Sequence, residues 1–230
     1  MRISEAAYIG ARLHEIPVEQ LSPVLNLGSS NEEFRTLSHP HVDREIFFPL
    51  VARGARVIHA DLKADRGIDI VGDIYDAAFQ EECRRLRPRT VVCCNILEHV
   101  TDPASFARIV SALVPNDGYV VVSVPRSYPF HADPIDTLFR PSTSEIVDLF
   151  GSELTPVVTH TLTDITWLSD LRTRMPASAL PLFFLKDLAK VVVELPFTEK
   201  RFKRLHRYLW LARPFQMSIV ILRRRCAAAV

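Results

Sequence analysis

Glycine is scarce in this chain, with seven residues in all. The stretch Val24-Leu25-Asn26-Leu27-Gly28-Ser29-Ser30-Asn31 keeps only one of them, at a turn that follows an apolar strand. Cysteine is also sparse. Cys83, Cys93, Cys94 and Cys226 have neither the spacing of a zinc site nor that of a redox pair, which points to reduced thiols and a cytoplasmic chain. No apolar run is long enough to cross a bilayer, since the longest, near Leu180–Leu185, is cut by Lys186 and Asp187. Met1–Glu5 lead into mixed residues without the apolar core of a secretory leader, so none is expected. No repeat or low-complexity tract stands out. A net charge of +1 and the lack of a recognised binding motif argue against a nucleic-acid partner.

What is present suits one domain spanning 1–230, with 48% hydrophobic and 24% charged residues. The charge is unevenly spread. Residues 1–150 hold 15 basic and 21 acidic residues, a net −6, whereas 151–230 hold 13 and 6, a net +7.

The first half alternates strand and helix patterns. Strands are expected at Val24–Leu27, Arg56–Ala60, Ile68–Val71, Thr90–Cys94 and Tyr119–Val124, the last two apolar enough to be buried on both faces. Helices are expected at Asp43–Ala52, at Phe79–Leu86, and at Ala104–Leu113 after an Asp102-Pro103 start. Pro125–Pro141 reads as a loop, and Ser142-Thr143-Ser144-Glu145 as a capping box opening a helix that Gly151 stops. A loosely alternating strand follows at Pro156–Thr163 and a strong one at Phe215–Leu222. Residues 164–213 between them form a helical insertion. Strands separated by helices imply a doubly wound α/β sheet, mostly parallel and seven-stranded, whose ligands sit beyond the carboxyl ends of the strands.

Two segments carry a family resemblance: Val91-Val92-Cys93-Cys94-Asn95-Ile96-Leu97-Glu98-His99-Val100-Thr101-Asp102-Pro103 and Gly118-Tyr119-Val120-Val121-Val122-Ser123-Val124-Pro125. Tyr128-Pro129-Phe130-His131 through Asp136, and Arg140-Pro141-Ser142, extend it. The chain resembles class I S-adenosylmethionine-dependent methyltransferases, in particular the small-molecule group of the ubiquinone-biosynthesis type. The resemblance covers residues 24–150 and implies a Rossmann-like sheet with Phe215–Leu222 as its antiparallel last strand. It departs at the first motif, acidic-x-Gly-x-Gly-x-Gly. Asn26 holds the acidic position, and Ser30 and Glu32 hold two glycine positions, so the Glu32 side chain must point away. Gly28 and Asp61 are 33 residues apart, against about 20 in dinucleotide folds. The excess, Asn31–His41, reads as a loop extension that could cover a cofactor.

S-adenosylmethionine is the cofactor implied, with Asn26, Gly28, Ser29 and Ser30 at the first strand's tip. Asp61, beside Leu62, is placed to accept the ribose hydroxyl protons; its alternative is a solvated turn acid. By resemblance Asp73 meets the adenine amino group and Ile74 packs on the ring. Asn95 and Ile96 fall near the methyl group. His99 is the candidate catalytic base, because imidazole titrates in the useful range; its alternative is packing of a helix start. Glu98, His131, Asp136 and Arg140, with Asp133, are candidates for an acceptor pocket, or else a loop braced by an Asp136–Arg140 pair. No metal is expected: a His-Asp-Asp set lacks further ligand spacing.

In the insertion, Thr198–Trp210 reads as a helix with Phe202, Leu205 and Leu209 on one face and basic residues elsewhere, following the apolar Leu182–Leu195. Residues 180–211 could lie on an anionic membrane surface, or pack on the sheet with a solvated basic face. The sequence therefore points to methyl transfer to a small or lipid-like acceptor. The alternative is a non-catalytic methyltransferase-like binding protein that has lost full cofactor binding. A nicotinamide-dependent enzyme is disfavoured by the missing glycines.

Overall fold

The computed structural model describes residues 1–131, 135–193 and 199–225; Asp133 and Cys226 lie outside them. Alternating apolar residues build one sheet from β1 (Val24–Leu27), β2 (Val57–Asp61), β3 (Ile70–Val71), β4 (Thr90–Cys94), β5 (Tyr119–Ser127), β6 (Leu154–Thr166) and β7 (Pro214–Arg224). The spatial order is β3-β2-β1-β4-β5-β7-β6. The first five are parallel, and β7 runs antiparallel to both β5 and β6. The chain therefore reverses its direction of travel across the sheet between β1 and β4, where such sheets open a crevice.

Strand alternation sends residues to two cores. Leu25, Leu27, Val91, Cys93, Val120, Val122 and Val124 face the helices Ala77–Arg85, Pro103–Leu113 and Thr143–Phe150. Val24, Val92, Val121, Ile219 and Ile221 face the other way. Asp102 caps its helix by accepting the Ser105 N–H at 2.9 Å, and Ser142 and Glu145 form the expected capping box. Cys83, Cys93 and Cys94 are unpaired thiols. Burial pushes Cys83 up to about 11 and Cys94 up to about 12, so neither is a ready nucleophile.

Several boundaries differ from the sequence expectation. β3 shrinks to Ile70–Val71 because 65–68 form a turn closed by the Ile68 N–H on the Asp65 carbonyl. β5 continues through Pro125 because a register shift against β7 falls there, which a residue without an N–H tolerates. β6 lengthens to thirteen residues by pairing along β7. Asn31–His41 is not a loop extension. Phe34–Ser38 and Pro40–Val42 are helical, followed by Asp43–Phe47 and Phe48–Ala52. Pro40 and Pro49 lack the N–H of a continuous helix, so the segment breaks into short turns.

Helix α1 (Ile3–His14) has no counterpart in the expected elements. It buries Ala6, Ile9 and Leu13 on the second core. Gly10 permits the contact, since a Cβ there would stand 1.9 Å from the Glu45 carbonyl oxygen. Between β6 and β7 lie the helices Trp167–Arg174, Leu180–Val193 and Glu199–Arg207, packed around Trp167, Leu171, Leu180, Trp210 and Phe215. Among the described residues no helix is long and apolar enough to cross a membrane.

Candidate active site

The tips of β1, β2, β3 and β4 open onto one cleft of about 800 Å³. All ten residues expected at a cofactor line it: Asn26, Gly28, Ser29, Ser30, Asp61, Leu62, Asp73, Ile74, Asn95 and Ile96. Gly28 has φ +61°, a conformation that favours glycine, and a Cβ on it would crowd Ile96 Cδ1 at 2.9 Å. Ser30, at a motif glycine position, takes the same left-handed conformation with φ +54°, at a cost of about 1–3 kcal/mol. Its N–H is secured by Asp61 Oδ2 at 2.8 Å, and Asp61 Oδ1 accepts the Lys63 N–H at 3.2 Å. Each carboxylate oxygen keeps a further lone pair. Glu32 points away as expected, toward Arg66 at 2.7 Å.

Arg35, which the sequence left in a covering loop, instead braces this turn from within. It is 3% exposed. Its guanidinium donates to the carbonyls of Ser29 at 3.3 Å, of Gly67 at 2.7 Å, and of Ser30. Beside it, Asn26 Nδ2 donates to His59 Nδ1 at 3.1 Å. Burial, then the charge of Arg35, holds His59 down to about 4, so this imidazole is neutral at pH 7 and accepts. Asp73 is exposed at the end of β3, with Oδ1 on the Tyr75 N–H at 2.9 Å.

Asn95 is also left-handed, φ +56°. Its Nδ2 donates to Glu5 Oε1 at 2.9 Å, an oxygen that also accepts Ser123 Oγ at 2.6 Å. Glu5, wholly buried, therefore brings into the cleft wall a carboxylate that Asn26 does not supply. Sequence reasoning missed it. The available signal was an acid adjoining the apolar stripe Ala6–Ile9–Leu13.

At the β4 end, His99 and His131 line the cleft with ring centroids 5.3 Å apart. Glu98 stands behind them, fully buried, with Oε1 3.7 Å from Nε2 of each. Among the described residues neither Glu98 oxygen has a hydrogen-bond partner. His99 Nδ1 contacts the Ile135 carbonyl, and His131 Nδ1 lies 3.5 Å from Asp136 Oδ2. Asp136 and Arg140 do not line the cleft; they form a two-pronged pair at 2.7 and 3.0 Å that braces the loop. Burial raises the Asp136 carboxyl, but Arg140 and the N–H groups of His131 and Leu138 hold it below the usual range. The insertion supports the same loop. His206 Nδ1 accepts the Phe130 N–H at 2.9 Å, and Trp210 Nε1 donates to Ser127 Oγ at 3.0 Å.

No protein-family model and no curated protein matches this chain. Its architecture does match solved structures. MccD protein aligns over 96% of both chains at 14% identity, with a TM-score of 0.56. A protein of Bacillus halodurans C-125 with a provisional methyltransferase assignment aligns over 94% of this chain and 99% of its own, at 14% identity and a TM-score of 0.52. Coclaurine N-methyltransferase, bound to N-methylheliamine and SAH, aligns over 96% of this chain and 72% of its own, at 14% identity and a TM-score of 0.50. At these identities the likeness establishes a fold, the Rossmann-like sheet of class I methyltransferases.

Proposed function

We propose that this chain transfers the methyl group of S-adenosylmethionine to a small or lipid-like acceptor, in the manner of the ubiquinone-biosynthesis type. One observation carries the reading: four successive strand tips place Gly28–Ser30, Asp61, Asp73–Ile74 and Asn95–Ile96 around a single cleft. Asp61 offers oxygens to the ribose hydroxyls, Asp73 to the adenine amino group, and Ile74 an apolar face to the ring. The left-handed Ser30 and the Arg35 brace keep the turn's shape without its missing glycines. In the reaction an acceptor lone pair attacks the sulfonium methyl carbon. The carbon–sulfur bond breaks, and its electron pair stays on sulfur. The protein mainly holds the reactants in line. A hydroxyl acceptor must also lose a proton, and the cluster of His99, His131 and Glu98 is the group able to promote that.

The non-catalytic alternative has one observation in its favour: both Asp61 oxygens already accept backbone N–H groups. Calorimetric titration with S-adenosylmethionine and its demethylated product separates the two. Binding is expected, weakened in Asp61→Ala by about 1.5–3 kcal/mol, roughly ten- to hundredfold. No heat and no thermal stabilisation at millimolar ligand overturns the methyl-transfer reading.

For the insertion we propose contact with an anionic bilayer. Leu182, Leu185, Leu188 and Val192 are exposed at helical spacing on Leu180–Val193. Lys186 and Lys190 lie on the same helix, and the basic Glu199–Arg207 packs beside it through Arg204 on Asp187 at 2.7 Å.

A further inference from the structure

We propose that Glu98, His99 and His131 hold a divalent first-row transition cation in the wall of the cleft. A carboxylate oxygen and two imidazole nitrogens lie within 4.8 Å of one another. This is a donor set that suits zinc, manganese, iron or cobalt. Atoms sharing one ion at bond lengths of about 2.0–2.2 Å stand roughly 3–3.5 Å apart. The 3.7 Å separations from Glu98 Oε1 to each Nε2 come close to that, yet exceed the hydrogen-bond range.

The carboxylate supplies the second observation. Glu98 is fully buried, and neither oxygen has a hydrogen-bond partner among the described residues. A buried carboxylate left so is costly unless a positive charge meets it. Both imidazoles also have an acceptor at their other nitrogen: the Ile135 carbonyl at His99 Nδ1 and the Pro129 carbonyl at His131 Nδ1, 3.4 Å away, with the Asp136 carboxylate close by at 3.5 Å. Such acceptors fix the tautomer that leaves Nε2 with its lone pair, as at metal-ligating histidines. The Asp136–Arg140 pair, and Thr137 donating twice to the Glu98 carbonyl at 2.9 and 3.1 Å, tie the His131 loop to the strand-four side of the site.

Three protein ligands leave a coordination position for an oxygen of the acceptor. This role rests on the methyl-transfer reading; the cation site itself does not. A coordinated acceptor hydroxyl gives its proton to water more readily, and the resulting oxyanion attacks the methyl carbon, with no change in the cation's oxidation state.

The test uses the full chain, stripped with a chelator and titrated with Co²⁺. One equivalent should bind, with visible absorption bands and a raised Tm. Glu98→Gln and His131→Ala should each weaken binding about tenfold or more while circular dichroism stays unchanged. His131 is partly exposed on a loop, so its variant carries the test if Glu98→Gln fails to fold. No Co²⁺, Mn²⁺ or Zn²⁺ binding at millimolar concentration, or unchanged affinity in the variants, overturns the site. A parallel titration with the demethylated cofactor keeps the readings apart: cation binding without cofactor binding sinks methyl transfer alone, and the reverse sinks the cation site alone.

Discussion

His59 lies in the sheet beside Asn26, and both its burial and the nearby Arg35 charge oppose its protonation. In the unfolded chain an imidazole titrates near 6.5, and in the folded chain this one titrates at about 4. Between those values the unfolded state binds a proton that the folded state does not. Its contribution is therefore fully present above about pH 6.5 and is lost as pH falls toward 4. Urea unfolding should show about 2 kcal/mol less stability at pH 5 than at pH 7 from this group. His59→Gln should flatten that slope, leaving the smaller part owed to His39 and His206, which burial also lowers. An equal slope in the variant would mean that His59 accepts the proton in the folded state. The sequence pointed to Asn26, Ser30 and Asp61 as candidates through the family resemblance and their places at strand ends, and all three line the cleft. It could not show that Ser30 takes a glycine's conformation or that Asp61 secures it, because that bond spans 31 positions.

Among the elements, α1 shapes the site most and was least foreseen. It closes one side of the cleft, anchored at its start by Arg2 and Ser4 on Asp164 of β6. Its Glu5 satisfies Asn95 and Ser123 inside. Glu5→Ala would leave both groups unpaired in a buried setting, at a cost of about 2–4 kcal/mol. Thermal unfolding should show it plainly, and Glu5→Gln should cost less because the amide oxygen still accepts. An unshifted Tm in Glu5→Ala would remove the carboxylate from this structural role. The stripe Ala6–Ile9–Leu13 was readable as a helix. Part of its partner surface was legible too, in the expected helix Asp43–Ala52 that supplies Ile46, Phe47 and Leu50; the helical turns Phe34–Ser38 and Pro40–Val42 before it were not, since Pro40 interrupts their period.

For the whole molecule, the two halves of the chain differ in charge, and the basic excess falls in 151–230. The exposed leucines of Leu180–Val193 add an apolar face to that excess. Co-sedimentation should show binding to phosphatidylserine vesicles, release by added salt, and loss in Leu185→Glu, a position 67% exposed and therefore tolerant of the change. Equal binding to neutral vesicles would overturn the anionic preference, and none to either would return this face to an ordinary solvated role.

Local sequence alone determined the alternation of strands and helices, the caps at Asp102 and Ser142, and the strand ends that border the cleft. These depend on periodicity and on neighbours a few residues away. Tertiary structure alone decided what closes the cleft and how its polar groups are partnered. Glu5 meets Asn95, Arg35 reaches Gly67, and His131 meets Glu98. Each of these pairs joins positions far apart in the chain, and only the packed sheet brings them together.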